Sequence, residues 1–234
     1  MTSTTKSQTT IMVFAGPGSL DIKTAQSFKI RPPAGRGDLA AAVASGADTI
    51  VFLDGIFHHR AAVGHQELLE ILTAGVIVIG AASMGALRAI ELRHYGAIGC
   101  GAIYNALLRG FITDDSELAL AMCPFTYQPL TVPLVEVRTL AAAAYLGGCS
   151  NKDVETAFSL AQKTFFMERT PAKLAQLWMR DCRNPLPLIR LLEDSRIRIK
   201  QRDGLLAIRA AEDPEGSLLR APEALYWNGE VIYV

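Results

Sequence analysis

Three short apolar runs rich in β-forming residues, at residues 11–15, 49–53 and 76–79, alternate along the first half of the chain with stretches whose apolar positions recur every three or four residues. Each run ends in small or turn-forming residues: Gly16-Pro17-Gly18-Ser19, Asp54-Gly55 and Gly80-Ala81-Ala82-Ser83. Helical spacing occupies residues 37–45, 60–73 and 84–95. Short strands that are apolar on both sides and alternate with helices predict an α/β fold, a parallel sheet covered on both faces. In such sheets the functional crevice lies beyond the carboxyl ends of the strands, where helix N-termini also gather. Residues 16–19, 54–57 and 80–83 should therefore share one edge.

Beyond residue 110 the pattern changes to Leu- and Ala-rich helices, expected at 134–146, 152–163 and 171–180. Ser150 and Asn151 are cap candidates for the second, and Thr170 followed by Pro171 for the third. Asp203-Gly204 and Asn228-Gly229, each between strand-like residues, predict two C-terminal β-hairpins, over 196–209 and 224–234. Residues 124–133, bounded by prolines, read as a linker. The expected organisation is a polar, frayed tail at 1–10, an N-terminal parallel-sheet core at 11–123, and a mainly helical segment with terminal hairpins at 124–234.

Composition narrows the function. The 234 residues carry 23 basic and 23 acidic side chains, so the chain lacks the charge excess that releases counterions from phosphate, which argues against nucleic acid as a partner. An uncharged run that could suggest a membrane span, at 71–87, is slightly short and broken by Gly75, Gly80, Ser83 and Gly85, and reads as a strand feeding a helix. Cys100, Cys123, Cys149 and Cys182 show no paired spacing, and the histidines form no H-E-x-x-H, so neither zinc nor another cofactor is expected. With no signal peptide in front, the cysteines read as buried thiols in a reducing cytoplasm. The oligomeric state is open, a homo-oligomer included.

The strongest chemical signal is V-I-V-I-G-A-A-S-M-G-A-L-R-A at 76–89. Ala81-x-Ser83-x-Gly85 keeps the spacing of the nucleophile elbow G-x-S-x-G with Ala in place of the first Gly. Small neighbours leave the hydroxyl accessible, and unpaired N–H groups at a helix start can stabilise an oxyanion. The alternative is that Ser83 only caps the helix. Asp54 could orient a base or hold a substrate, or could simply close a turn. His58, His59 and His65 are near the same edge, and an imidazole such as His65 can act as a general base. Glu67 and Arg88 could contact substrate, Arg88 as a fork for a carboxylate, or could form ordinary surface ion pairs. Gly16-Pro17-Gly18-Ser19 lacks the remainder of a phosphate loop and is a substrate-contact candidate only. Asp114 and Asp115 either complement a helix start or form a docking patch for a basic partner.

Taken in order, F-A-G-P-G-S-L (14–20), P-P-A-G-R-G-D-L (32–39), I-V-F-L-D-G-I-F (50–57), A-V-G-H-Q-E-L-L (62–69), G-A-A-S-M-G-A-L-R-A-I-E-L (80–92) and G-F-I-T-D-D-S-E-L-A (110–119) resemble the TfuA-like family over about residues 11–120. The resemblance implies an accessory protein for YcaO enzymes in peptide backbone thioamidation, which hydrolyses the thiocarboxylated C-terminus of a small ubiquitin-like sulfur carrier to release sulfide and helps the partner engage its peptide. It also implies a serine and lysine pair, with the serine at Ser83 and Gly80, Ala81 and Ala82 beside it admitting a slender tail. Where family members often read H-K-E, this chain has His65-Gln66-Glu67. The base would then be His65, or Lys23 or Lys29 from the first segment, or hydrolysis is absent and the protein is a non-catalytic docking or allosteric subunit.

Overall fold

The computed structural model describes residues 9–20, 28–56, 60–194, 198–213, 224–227 and 230–233. Strands β1 (Ile11–Phe14), β2 (Lys29–Arg31), β3 (Thr49–Phe52), β4 (Ile77–Gly80) and β5 (Ile98–Gly99) form one parallel sheet in the order β2-β1-β3-β4-β5. Phe14, Phe52 and Gly80 lie level in register, so β1, β3 and β4 end together and their following turns share one edge, as the pattern predicts. β2 and β5 are too short to leave a periodic signature in the sequence.

The two faces of the central strands are buried differently. Met12, Phe14, Ile50 and Phe52 pack under α1 (Asp38–Ala44) and α2 (His65–Thr73), which contribute Leu39, Leu68 and Ile71. Val13, Val51, Leu53 and Ile79 point the other way, onto Ala207, Ile208, Ala210 and Ala211 of the helix at 199–212. α3 (Met84–Leu92) and α4 (Gly101–Leu108) meet beside the β4–β5 edge through Ala86, Ala102 and Ile103.

In the second half, α5 (Leu134–Leu146), α6 (Asn151–Lys163), α7 (Pro171–Asp181) and α8 (Leu186–Glu193) enclose Trp178, whose indole donates to the Ala157 carbonyl at 3.1 Å. Ser150 and Thr170 cap α6 and α7 by accepting from the N–H groups of Asp153 and Lys173. α5 is buried on most sides and reaches the α3–α4 contact through Val135. Residues 124–133 are less linker than ordered turn: the Met122–Pro129 bridge and the Cys123–Gln128 hydrogen bond close it.

The predicted hairpin at 196–209 is instead a helix, α9 (Ile199–Glu212). Asp203-Gly204 resembles a turn signal but serves a packing contact: a Cβ on Gly204 would stand 2.0 Å from the Ser19 carbonyl oxygen. The Asp203 carboxylate meanwhile accepts from Ala102 and Ile103 N–H at the start of α4. The parallel sheet and α4 are thus covered by residues from the far end of the chain. β6 (Ala224–Trp227) pairs antiparallel with β7 (Glu230–Tyr233), while Asn228-Gly229 and most of the expected tail, residues 1–8, lie outside the described residues. Only Cys182 of the four cysteines is buried; all four are free thiols, the other three partly exposed. Among the described residues no helix is long and apolar enough to cross a membrane.

Candidate active site

β4 delivers the chain to a tight turn in which Ala82, fully buried, adopts a left-handed conformation at φ 65°, unusual for a residue with a Cβ and a mark of backbone held under constraint. α3 then begins hard against the sheet. A Cβ on Gly85 would lie 1.7 Å from the Phe52 carbonyl oxygen, so only glycine permits this approach. Ser83 sits at the N-cap position, yet its hydroxyl caps nothing. It is instead 3.0 Å from the Nζ of Lys200, 117 residues further along the chain.

Lys200 occupies the first turn of α9 and is 1% exposed. Its ammonium also donates to the Leu118 carbonyl at 2.8 Å. Burial pushes its pKa down, because a cation is poorly solvated there, while the carboxylates of Asp54 and Glu136 oppose that shift. An amine in this setting gives up its proton more readily than an exposed lysine does.

Asp54 lies at the end of β3, buried, and its Oδ2 accepts the Gly16 N–H at 2.8 Å, across the point where the strand order reverses. It therefore ties two turns together and contributes negative charge near Lys200. Gly16 to Ser19 do not form an open cradle. Pro17 accepts from the Gln201 side chain, Ser19 is buried against α9, and Pro17 and Gly18 line a cavity of about 230 Å³ that also reaches Glu136 and Lys200.

Ser83 opens onto a separate groove of about 360 Å³, lined also by Gly55, Met84, Arg88, Asp115, Leu118 and Phe166. Arg88 donates to Glu91 and to the Val63 carbonyl, and His65 meets the same Glu91 at 2.8 Å, half exposed. Those two expected residues meet at the Glu91 carboxylate, and the Ser83 hydroxyl has lysine, not histidine, as its partner. Glu67 caps α1 through the N–H groups of Gly37 and Ala40. Gly80 is packed against α3 at Gly85 and Ala89, while Ala81 and Ala82 are fully buried in the cluster that includes Ala207 and Ile208 of α9. Asp114 caps a short 3-10 helix, Asp115–Leu118, by accepting from Ser116 N–H. Lys29 stands on the exposed edge strand β2, while Lys23, His58 and His59 lie outside the described residues. Among the described residues no group of His, Cys, Asp and Glu could hold a metal ion.

Lys200 is absent from the sequence-based candidates because Asp203-Gly204 hid the helix. A signal existed: Lys200, Gly204, Ala207, Ile208 and Ala211 follow i, i+4, i+7, i+8, i+11, which puts a lysine on the buried stripe of an amphipathic helix.

Together these features define a parallel α/β protein whose sheet edge carries a groove-facing serine bonded to a buried lysine. The family model described as TfuA-like protein matches residues 54–170, half of the 234-residue chain, and the chain belongs to that family. The family is associated with accessory function in thioamidation. The matched segment contains Asp54, Ser83, Leu118 and Glu136 and stops short of Lys200. No curated protein matches the chain.

Proposed function

We propose that this protein is a serine-type acyl hydrolase that releases sulfide from the thiocarboxylated C-terminus of a small sulfur-carrier protein and so supplies a YcaO-type partner in peptide backbone thioamidation. The observation that carries this reading is the buried Lys200 amine 3.0 Å from the Ser83 hydroxyl at the end of a strand–turn–helix elbow. The family's association with thioamidation is what turns this reading toward a sulfur-bearing acyl substrate.

In the proposed reaction neutral Lys200 takes the Ser83 proton as Oγ attacks the thiocarboxylate carbon. The resulting oxyanion forms at the start of α3, where Met84 is the first helical residue and its N–H has no acceptor within the helix. The C–S bond breaks, the lysine returns its proton to the departing sulfur, and hydrogen sulfide anion leaves behind an acyl ester on Ser83. Water, deprotonated by the same amine, then hydrolyses that ester; carboxylate is released and Ser83 regains its proton. The overall change converts thiocarboxylate and water into carboxylate, hydrogen sulfide anion and a proton. Arg88 lines the groove, held by Glu91 and the Val63 carbonyl, so an anionic tail entering toward Ser83 would pass a guanidinium that is already oriented.

A glutamine at position 66 does not argue against hydrolysis under this reading, because α9 brings a lysine to Ser83. Incubation with thiocarboxylated carrier, with sulfide measured for wild type and Ser83→Ala, tests the proposal. Release by wild type and its loss in the variant are expected. Equal release from both would remove Ser83 as nucleophile, and binding without release by wild type would favour a docking subunit.

A further inference from the structure

The N-terminus of α9 is held by a side chain from another helix. Glu136 of α5, 5% exposed, accepts Ile199 N–H at Oε2 (3.0 Å) and Lys200 N–H at Oε1 (3.2 Å). These are the first two N–H groups of α9, which a helix cannot satisfy internally. Its own N-cap residue, Arg198, offers no side-chain acceptor to them. One turn further on, Asp203 anchors α9 to the start of α4 by two hydrogen bonds of 2.7 and 2.8 Å. The lysine backbone is thereby clamped between α5 and α4.

We infer that Glu136 is the positioning residue for Lys200, fixing through the backbone of α9 where the amine meets Ser83 and setting a carboxyl group beside it. This inference rests on the serine–lysine reading above. The geometric part follows from the two N–H bonds: if they are lost, the first turn of α9 is free to fray, and the contact at Ser83 frays with it. The electrostatic part follows from the groups around the amine. Asp54 faces it from the end of β3, Glu136 from α5, and the Leu118 carbonyl from the short helix at 115–118, where the neighbouring Glu117 is paired with Arg138 of α5. Arg198 and Asp203 lie on or beside its own helix. Burial favours the neutral amine; the Glu136 carboxyl, whose own pKa burial pushes up against the two N–H bonds and Lys200 that lower it, favours the ammonium when ionised. Removing that carboxylate should therefore let Lys200 deprotonate at lower pH.

The test is the pH profile of sulfide release by the full chain from thiocarboxylated carrier. Since the base must be neutral, the rate falls as pH drops through the Lys200 pKa. Glu136→Gln keeps the size of the side chain, removes the charge and leaves one N–H facing an amide nitrogen. Its acidic limb should move down by about one pH unit and its plateau kcat fall by roughly tenfold, an amide being a weaker partner than a carboxylate, with KM unchanged. Glu136→Asp keeps the charge but retracts it by one methylene; its limb should stay in place while the plateau falls. A wild-type limb and plateau in Glu136→Gln would overturn the inference. Should that variant not fold, an unchanged plateau in Glu136→Asp would do the same. Ser83→Ala and Lys200→Met, run in the same series, separate the two failures: if they retain release, the serine–lysine reading falls. If they lose it while the Glu136 variants match wild type, only the positioning role falls.

Discussion

Replacing Lys200 with Met removes the amine while keeping an unbranched side chain of similar length in a site that is almost fully enclosed. Two hydrogen bonds disappear, to Ser83 Oγ and to the Leu118 carbonyl. Leaving that carbonyl without a donor costs about 1–3 kcal/mol. Against this, the variant no longer buries an amine whose charged form is disfavoured there, so part of the loss is recovered. A net change of about 1 kcal/mol moves the melting temperature of a chain this size by roughly 2–4 °C. Catalysis should respond on another scale. A positioned general base contributes on the order of 10²- to 10⁴-fold, and the same amine would serve in both half-reactions. Lys200→Met should therefore lower the sulfide release rate by about 10³-fold, with binding of the carrier retained and Tm within about 5 °C of wild type. Sulfide release under single-turnover conditions, carrier binding by titration and thermal melting provide the three readouts. Release within tenfold of wild type by a folded Lys200→Met protein would refute the assignment of Lys200 as base, because no described side chain other than Lys200 bonds the Ser83 hydroxyl.

Three further outcomes are expected. Gly85→Ala should destabilise the fold by at least about 2 kcal/mol, measured by urea unfolding, because the added methyl meets the Phe52 backbone rather than a side chain that can swing away. Glu67→Ala should lose about 1 kcal/mol of stability through the α1 cap, with sulfide release per folded molecule unchanged; a selective loss of activity would return Glu67 to the substrate site. Asp203 has its pKa pushed up to about 7, by burial first, against the two N–H groups that lower it. The folded state thus holds a proton that the unfolded chain releases near pH 4, so stability should fall as pH rises from about 4 to about 7. Asp203→Asn should flatten that part of the curve, and an unchanged slope in chemical denaturation would contradict the assignment.

The sheet was readable because its central strands are buried on both faces: residues 11–14, 49–52 and 77–80 each form an apolar run without the alternation of a half-exposed strand, and helical spacing lies between them. The small residues of Gly80-Ala81-Ala82-Ser83 likewise marked a strand–turn–helix edge, and the caps Ser150 and Thr170 follow from local hydrogen-bonding chemistry. The sequence by itself therefore determined the parallel α/β core and the placing of Ser83 at its carboxyl edge. It did not determine what Ser83 meets. Glycine beside aspartate is a turn signal when only near neighbours are considered, and Asp203-Gly204 becomes helical because its glycine admits the Ser19 carbonyl and its carboxylate finds the α4 N–H groups. Glu67 and His65 look like site residues along the chain but are committed to the start of α1 and to Glu91. Only the tertiary structure decided that the partner of Ser83 is Lys200. That contact spans 117 residues, and it exists because α9 covers one face of the sheet while Glu136 holds its first turn and Asp203, one turn further on, ties it to α4.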